Sequence, residues 1–150
     1  MKLYSSEPMH TAEHILNQTM IRLFGCKRSI NAHIERKKSK CDYLLTSAPT
    51  EDQIMEIEYR VNEIINHHLP ITEEVVSLEE ARTMADLSKL PAGTGSTIRI
   101  IRIGDYDTCA CSGPHVTNTS EIGRFTILSH DFENGIWRVR WKLNEKNSNI

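Results

Sequence analysis

The sequence predicts an α+β fold, a single compact domain in which a largely antiparallel sheet packs with helices. Segments with helical and with strand-like periodicity are interspersed, without the regular strand–helix–strand repeat that builds a parallel sheet. The chain has 150 residues, of which 39% are apolar and 25% are charged, a composition typical of one folded domain rather than of a disordered chain. We expect residues 1–150 to form that domain, with its core over about 7–142 and a disordered tail over 144–150.

The first helix and the strand pair after it are predicted from periodicity and from end signals. Residues 7–24 place apolar side chains three or four positions apart, Ser6 can cap this helix, and Gly25 ends it. The stretch "NAHIERKKSKCDYLLT" (31–46) then predicts two short strands around a basic turn.

A second helix is predicted to begin where Thr50 and Gln53 match a capping box, and to run to about Leu69, where Pro70 stops it. The remaining segments are predicted as a strand over 71–77, a short helix over 78–86, a loop over 89–96, a strand over 97–106, a loop with Gly and Pro over 105–116, and two closing strands over 123–130 and 136–143.

Charge and composition exclude several classes of protein. The net charge is −2 and the pI is near 6.4, so any contact with RNA must come from local patches rather than from the overall field. The start "MKLYSSEPMH" lacks the apolar segment of a signal peptide, and no run of about 18 apolar residues could span a membrane. We expect a cytoplasmic protein that has no membrane partner. A homo-oligomer is possible but not indicated.

Two histidines near the N-terminus form the first chemical motif. His10 and His14 are four residues apart on the first helix, so they share a face and can bind one metal ion. The same five residues also fit the H-x-x-E-H pattern of inverted zinc proteases. In that interpretation Glu13 is the general base, and Glu79 or Glu80 supplies the third ligand.

The second motif is "CSGPH" (111–115), which contains Cys111 and His115. Gly113 and Pro114 between them favour a turn that aims both side chains the same way. Without a secretory signal, cysteines are more often metal ligands or buried thiols than disulfides. Together with the helical pair this makes a set of three histidines and one cysteine, which suits a tetrahedral Zn²⁺ ion, one per chain.

Two neighbouring residues leave the assignment of ligands open. Cys109 faces the same side as Cys111 in an extended chain, so it could replace Cys111 or line the site. Asp107 could do the same, or could hold a ligand in place. The protease hypothesis leaves Cys111 and His115 without a purpose, and 150 residues leave little room for a peptide cleft, so the four-ligand set is preferred.

With both pairs in view, the chain resembles the editing domain of alanyl-tRNA synthetase and the free-standing AlaX-type trans-editing proteins, and it shares the pattern of the related threonyl-tRNA synthetase editing domain. Their signature is H-x-x-x-H followed about a hundred residues later by C-x-x-x-H. The similarity covers about residues 8–142, in the stretches "HTAEHIL", "IERKKSKCDYLL", Val61-Asn62, Glu121-Ile122-Gly123 and "GIWRVRW". The alanyl family usually has Cys-Gly-Gly-Thr-His at the second motif, and Ser112 and Pro114 depart from it towards the threonyl pattern.

The resemblance implies a trans-acting aminoacyl-tRNA deacylase, which uses zinc to hydrolyse the ester of a mischarged tRNA. Ser-tRNA(Ala) is the leading substrate and Ser-tRNA(Thr) the alternative. A synthetase pocket for a small side chain cannot strongly reject an analogue that adds a hydroxyl, so serine errors call for a second check. The partner would be the tRNA acceptor end. The non-enzyme alternative is a zinc-stabilised RNA-binding module that has lost catalysis, which the departure at Ser112 and Pro114 keeps open.

Further site residues follow from the same resemblance and from charge. Thr11, beside the first ligand, would help to read the amino-acid side chain, and Asp107 and Cys109 are candidates for proton handling. Basic residues that could contact tRNA phosphates are Arg36, Lys37 and Lys38 in the turn, with Arg138 and Arg140 on the last strand.

Overall fold

The computed structural model describes residues 7–87 and 95–144, and it confirms the α+β class with antiparallel sheets. The cap at Ser6, most of the loop 89–96 and the tail beyond Asn144 lie outside the described residues. In chain order the elements are α1 Glu7–Phe24, β1 Asn31–His33, β2 Ser39–Leu44, α2 Glu51–Asn66, β3 Ile71–Ser77, α3 Leu78–Met84, β4 Thr97–Ile103, β5 Asp107–Ala110, a 3₁₀ turn Thr119–Glu121, β6 Arg124–Glu133 and β7 Ile136–Asn144.

The strands form two antiparallel sheets. The four-stranded sheet has the order β1-β2-β7-β6, and the three-stranded sheet has the order β3-β4-β5. The β6–β7 hairpin turns at Asn134-Gly135, where φ is 55° and 78°. Two consecutive residues of positive φ make the turn whose twist matches that of the flanking strands, which favours Asn-Gly there.

The main core joins α1 and α2 to the inward face of the four-stranded sheet. Every second side chain of β7 points inward, and Trp137 and Trp141 are fully buried with Ile15, Leu16 and Ile57 of the helices. Truncating one of these tryptophans to alanine is expected to cost about 3–5 kcal/mol. The register of α1 on this core positions the face that carries His10 and His14.

A smaller cluster lies between α3 and the three-stranded sheet, around Val76, Ala81, Ile98 and Ile100. This cluster supports β4, which in turn pairs with β5. The second motif of the sequence follows β5 directly.

Two element predictions are corrected by the structure. α2 ends at Asn66 rather than near Leu69, because His68 takes a φ of 54° and the N–H of Leu69 is bound by the Thr119 hydroxyl instead of by the helix. Residues 105–116 are not all loop, since β5 pairs with β4 from Ile103↔Asp107 to Ile100↔Ala110. The predicted capping box of α2, by contrast, is present.

No helix within residues 7–87 and 95–144 is long and apolar enough to cross a membrane.

Candidate metal centre

Two elements distant in sequence bring four metal-binding side chains together. The first half of α1 carries His10 and His14, and the segment after β5 carries Cys111 and His115. One donor atom from each of the four lies within 4.8 Å of all the others. The structure therefore gathers the four residues named from sequence into one group.

His10 is held by the backbone of the second motif. Its Nδ1 lies 2.8 Å from the carbonyl oxygen of Pro114, which can only accept, so Nδ1 carries the proton. Its Nε2 lies 3.4 Å from Sγ of Cys111. The close approach depends on Gly113, because a Cβ there would lie 2.4 Å from Cε1 of the His10 ring.

His115 is held by Thr11, which is fully buried. The Thr11 hydroxyl donates to the Glu7 carbonyl at 3.2 Å and accepts the N–H of Val116 at 3.2 Å. The same hydroxyl oxygen lies 2.9 Å from Nδ1 of His115. Because the single hydroxyl proton already points to Glu7, Nδ1 of His115 is the donor in this contact. Nε2 of His115 is enclosed and has no hydrogen-bond partner among the described residues.

His14 is backed by a buried carboxylate. Its Nδ1 lies 3.6 Å from Oδ2 of Asp107, a side chain that is 1% exposed. The other oxygen of Asp107 accepts from Arg28 and, at 2.8 Å, from Gln18. Burial opposes ionisation of this carboxyl, but His14 and Arg28 outweigh it and lower the pKa of Asp107. The negative charge therefore stays behind the ring.

The surroundings of Cys111 favour the thiolate form of its side chain. Burial would raise the pKa of its thiol, but the imidazoles of His10, His115 and His14 close to the sulfur outweigh burial and lower the pKa to about 3. The thiolate is the form that binds metal ions.

These contacts share one pattern that fits a metal ion. The Nδ1 atoms of His10 and His115 are hydrogen-bonded from behind, by a carbonyl and a hydroxyl, which leaves Nε2 of those two rings for a ligand. Nδ1 of His14 faces the Asp107 carboxylate at 3.6 Å, beyond hydrogen-bonding distance. Such support from behind is typical of histidines that bind metals. One thiolate and three imidazole nitrogens are borderline-soft donors, and the group could hold a divalent metal ion.

The other residues named for the site have different surroundings. Thr11 has no hydrogen-bonding capacity left for a substrate in this arrangement. Oδ1 of Asp107 accepts from Gln18 and Arg28, while Oδ2 lies 3.6 Å from His14 and has no hydrogen-bond partner among the described residues. Cys109 is half-buried and borders the same cavity as Cys111. Glu79 and Glu80, the third ligand of the protease hypothesis, are exposed and do not belong to the group of donor atoms found in the described chain.

A cavity of about 280 Å³ opens beside the group, bordered by His10, His14, Cys111, Asn17 and Arg28 among others. Arg28 was not named from the sequence, because a basic residue just after a helix has no distinguishing pattern. In the structure Arg28 pairs with Asp107, and its side chain is 19% exposed.

The basic residues that the sequence suggested as contacts for tRNA phosphates do not share one environment. Arg138 donates to both oxygens of Asp42, at 2.8 and 2.9 Å, and Arg140 donates to Asp131. Lys38 and Arg140 border one cleft of about 310 Å³. Arg36 and Lys37 are exposed in the turn before β2.

Comparison with known proteins finds relatives among the alanine–tRNA ligases. Residues 98–150 match the family described as threonyl and alanyl tRNA synthetase second additional domain. Alanine–tRNA ligases from Petrotoga mobilis, Fervidobacterium nodosum and Treponema denticola are 33%, 32% and 32% identical to the chain over 140, 130 and 133 residues. These alignments cover 92%, 86% and 87% of the chain but 16%, 15% and 22% of the ligases. The chain thus spans less than a quarter of the length of these relatives.

Proposed function

This chain is an editing-type domain related to the alanine–tRNA ligases, and from that premise we propose that it hydrolyses the ester bond of a mischarged aminoacyl-tRNA. The observation that carries the proposal is the convergence of His10, His14, Cys111 and His115 at the edge of a cavity. We further propose that the metal is zinc and that the substrate is a seryl-tRNA.

The four side chains would hold the zinc ion through three imidazole nitrogens and one thiolate. A zinc ion bound there supplies Lewis-acid chemistry, which polarises an oxygen or a water that it contacts. Pro114, Asp107 and Thr11 keep the three rings aimed at one point, so that little reorganisation is needed when substrate enters.

The cavity sets the size of the group beside the reacting bond. Its volume of about 280 Å³ lies just below the range for ligand sites, which begins at about 300 Å³. This volume suits a small side chain such as serine next to the terminal ribose. Cys109 and Glu13 border the cavity, and we keep Cys109 as a candidate for handling the proton of the leaving group.

Hydrolysis is tested by incubating the purified 150-residue chain with preformed Ser-tRNA(Ala), Ser-tRNA(Thr) and correctly charged Ala-tRNA(Ala). We expect rapid loss of serine from Ser-tRNA(Ala), and slower loss or none from the others. Because the ester is made beforehand by another enzyme, activity in this assay is also activity in trans. Preference for Ser-tRNA(Thr) would instead assign the protein to the threonyl error.

Metal dependence is tested in the same assay with chelator-treated protein and with zinc added back. Cys111→Ala is expected to lose both zinc and activity. The matched control is Cys26→Ala, because Cys26 is a half-buried free thiol that does not belong to the donor group. Full activity after removal of zinc would reject the metal-dependent mechanism.

One observation supports a non-catalytic alternative. Four protein donors are the usual complement of a closed structural zinc site, whereas a catalytic site keeps a position open for water or substrate. In the alternative, the ion stabilises a module that binds the tRNA acceptor end without cutting the ester. Zinc-loaded protein that binds tRNA but removes no amino acid from any of the three substrates would favour this alternative.

A further inference from the structure

The polar side chain of Asn17 borders the cavity, and the function proposed above gives it no role. It lies three residues after His14 on α1, is 4% exposed, and borders the same cavity as His10, His14 and Cys111. Residues three apart on a helix are neighbours on its surface. The Asn17 amide is therefore next to the candidate metal ligands.

The orientation of the Asn17 amide is determined by its partners. Its Oδ1 accepts the backbone N–H of Ser29 at 3.2 Å and the hydroxyl of Tyr43 at 2.7 Å. A backbone N–H can only donate, so Oδ1 and not Nδ2 must face Ser29. Complete burial raises the pKa of Tyr43 well above its ordinary value, which keeps that phenol protonated and able to donate.

The amide nitrogen is left free by this arrangement. Nδ2 of Asn17 donates to no other described residue, and it is not among the enclosed polar atoms that lack a partner. It follows that the two N–H donors are unused by the described residues and are not enclosed, on a side chain that borders the cavity. A buried side chain held by two bonds, with its donors open to a cavity, is preorganised for an acceptor in a ligand.

We propose that Nδ2 of Asn17 donates a hydrogen bond to the carbonyl oxygen of the aminoacyl ester, and so stabilises the negative charge that this oxygen gains when water attacks the carbonyl carbon. This inference rests on the proposed hydrolysis. An ester carbonyl oxygen only accepts, which matches a group that is locked as a donor. A serine hydroxyl could be met equally well by a donor or an acceptor, so it would not require the lock.

The step balances without any further reactant. Water adds its oxygen to the carbonyl carbon and the carbonyl bond electrons move to the oxygen held by Asn17. As the carbonyl re-forms, the bond to the ribose oxygen breaks, and that oxygen leaves with a proton that came from the water. Asn17 changes neither its protonation nor its bonds to Ser29 and Tyr43 in this sequence.

Asn17→Asp is the sharpest test, because a carboxylate can keep both accepted hydrogen bonds while replacing the donors with an acceptor. We expect kcat for the preferred seryl-tRNA to fall by about 10²–10³-fold, the loss typical of one oxyanion donor. Zinc content and the unfolding midpoint should stay close to those of the parent. Asn17→Ala removes the donor without adding charge, and it should lose turnover to a similar degree.

Three outcomes would overturn the inference. Parental kcat in Asn17→Asp would exclude a donor role. A loss in Asn17→Asp with normal turnover in Asn17→Ala would attribute the effect to added charge. A loss confined to seryl esters, with glycyl esters of the same tRNA unaffected, would assign the donor to the side-chain hydroxyl instead of the carbonyl.

A binding measurement separates this inference from the proposed function. The probe is 3′-deoxy-3′-(serylamino)adenosine, which has the carbonyl but cannot be hydrolysed in the same way. If the parent protein fails to deacylate any tRNA but binds this probe at least about tenfold more tightly than Asn17→Asp and Asn17→Ala do, the donor role stands while hydrolysis is rejected. If the parent deacylates, and all three proteins bind the probe equally and turn over seryl-tRNA with the same kcat, hydrolysis stands and the donor role is rejected.

Discussion

The close approach of Gly113 to His10 makes Gly113→Ala a direct test of the metal centre. The new Cβ would lie 2.4 Å from Cε1 of the His10 ring and 3.0 Å from its Nδ1, whereas ordinary contact begins at 3.4 Å. The ring must therefore move by about 1 Å, because the glycine belongs to backbone that the Arg99 guanidinium holds through the Gly113 and Cys111 carbonyls.

A movement of that size is large for a metal ligand. It would lengthen the 2.8 Å bond between His10 Nδ1 and Pro114 beyond hydrogen-bonding range, at a net cost of about 1 kcal/mol to folding. Metal–ligand distances tolerate only about 0.2 Å. Loss of the support behind a ligating histidine typically lowers metal affinity by about 10–100-fold, and we expect at least that loss.

The measurement is zinc affinity by competition with a chromophoric chelator, together with the unfolding midpoint of the zinc-free protein. Gly95→Ala is the matched control, because a Cβ at Gly95 meets nothing within 4 Å. We expect Gly113→Ala to bind zinc weakly and Gly95→Ala to bind it like the parent, with both zinc-free proteins folded. Equal affinity in the two variants would refute the reasoning, since His10 would then be no ligand or would move at no cost.

Three further predictions concern the rings, the thiolate and a remote ion pair. Thr11→Val should lower zinc affinity about tenfold or more, because it removes the hydroxyl that orients its histidine partner, and Thr11→Ser should restore most of it. Cys111→Ala should abolish tight zinc binding in a chelator competition, and Cys109→Ala should leave it largely intact, because the donor group contains Cys111 alone of the two. Asp42→Asn should lower the urea midpoint at pH 6, and the difference in midpoint from the parent should narrow by pH 3. Hydrogen bonding from Arg138 lowers the pKa of Asp42 in the folded protein. The stabilisation from this carboxylate is therefore present above the unfolded pKa of about 3.9 and is lost as pH falls through the folded pKa.

Each of these has an outcome that contradicts it. If Thr11→Ser binds zinc as weakly as Thr11→Val does, the packing of the Thr11 side chain, and not its hydroxyl, supports zinc binding. Loss of zinc from Cys109→Ala with retention in Cys111→Ala would reverse the assignment of the thiolate. A constant gap between Asp42→Asn and the parent from pH 6 to pH 3 would show that the carboxylate titrates normally in the fold.

Much of this fold could be predicted from sequence because its signals are local. The capping box at Thr50 and Gln53, the periodicity of α1 and the alternation of β7 depend on residues within a few positions of each other. The predictions of element boundaries were wrong where contacts with residues distant in sequence determine the conformation of the backbone. The early end of α2 depends on the Thr119 hydroxyl, 50 residues away, and β5 exists because β4 offers it a free edge.

The sequence by itself determined which residues could bind a metal, because the identity and spacing of the donors are written in two short motifs. Only the tertiary structure decided how the donors are held, since the partner of each ring lies about a hundred positions away: Pro114 for His10, Thr11 for His115, and Asp107 for His14. Hydrogen bonds between distant segments have no sequence period. The positioning role of Thr11 therefore emerges only once α1 packs against the segment after β5, and the locked amide of Asn17 only once α1 packs against Ser29 and Tyr43.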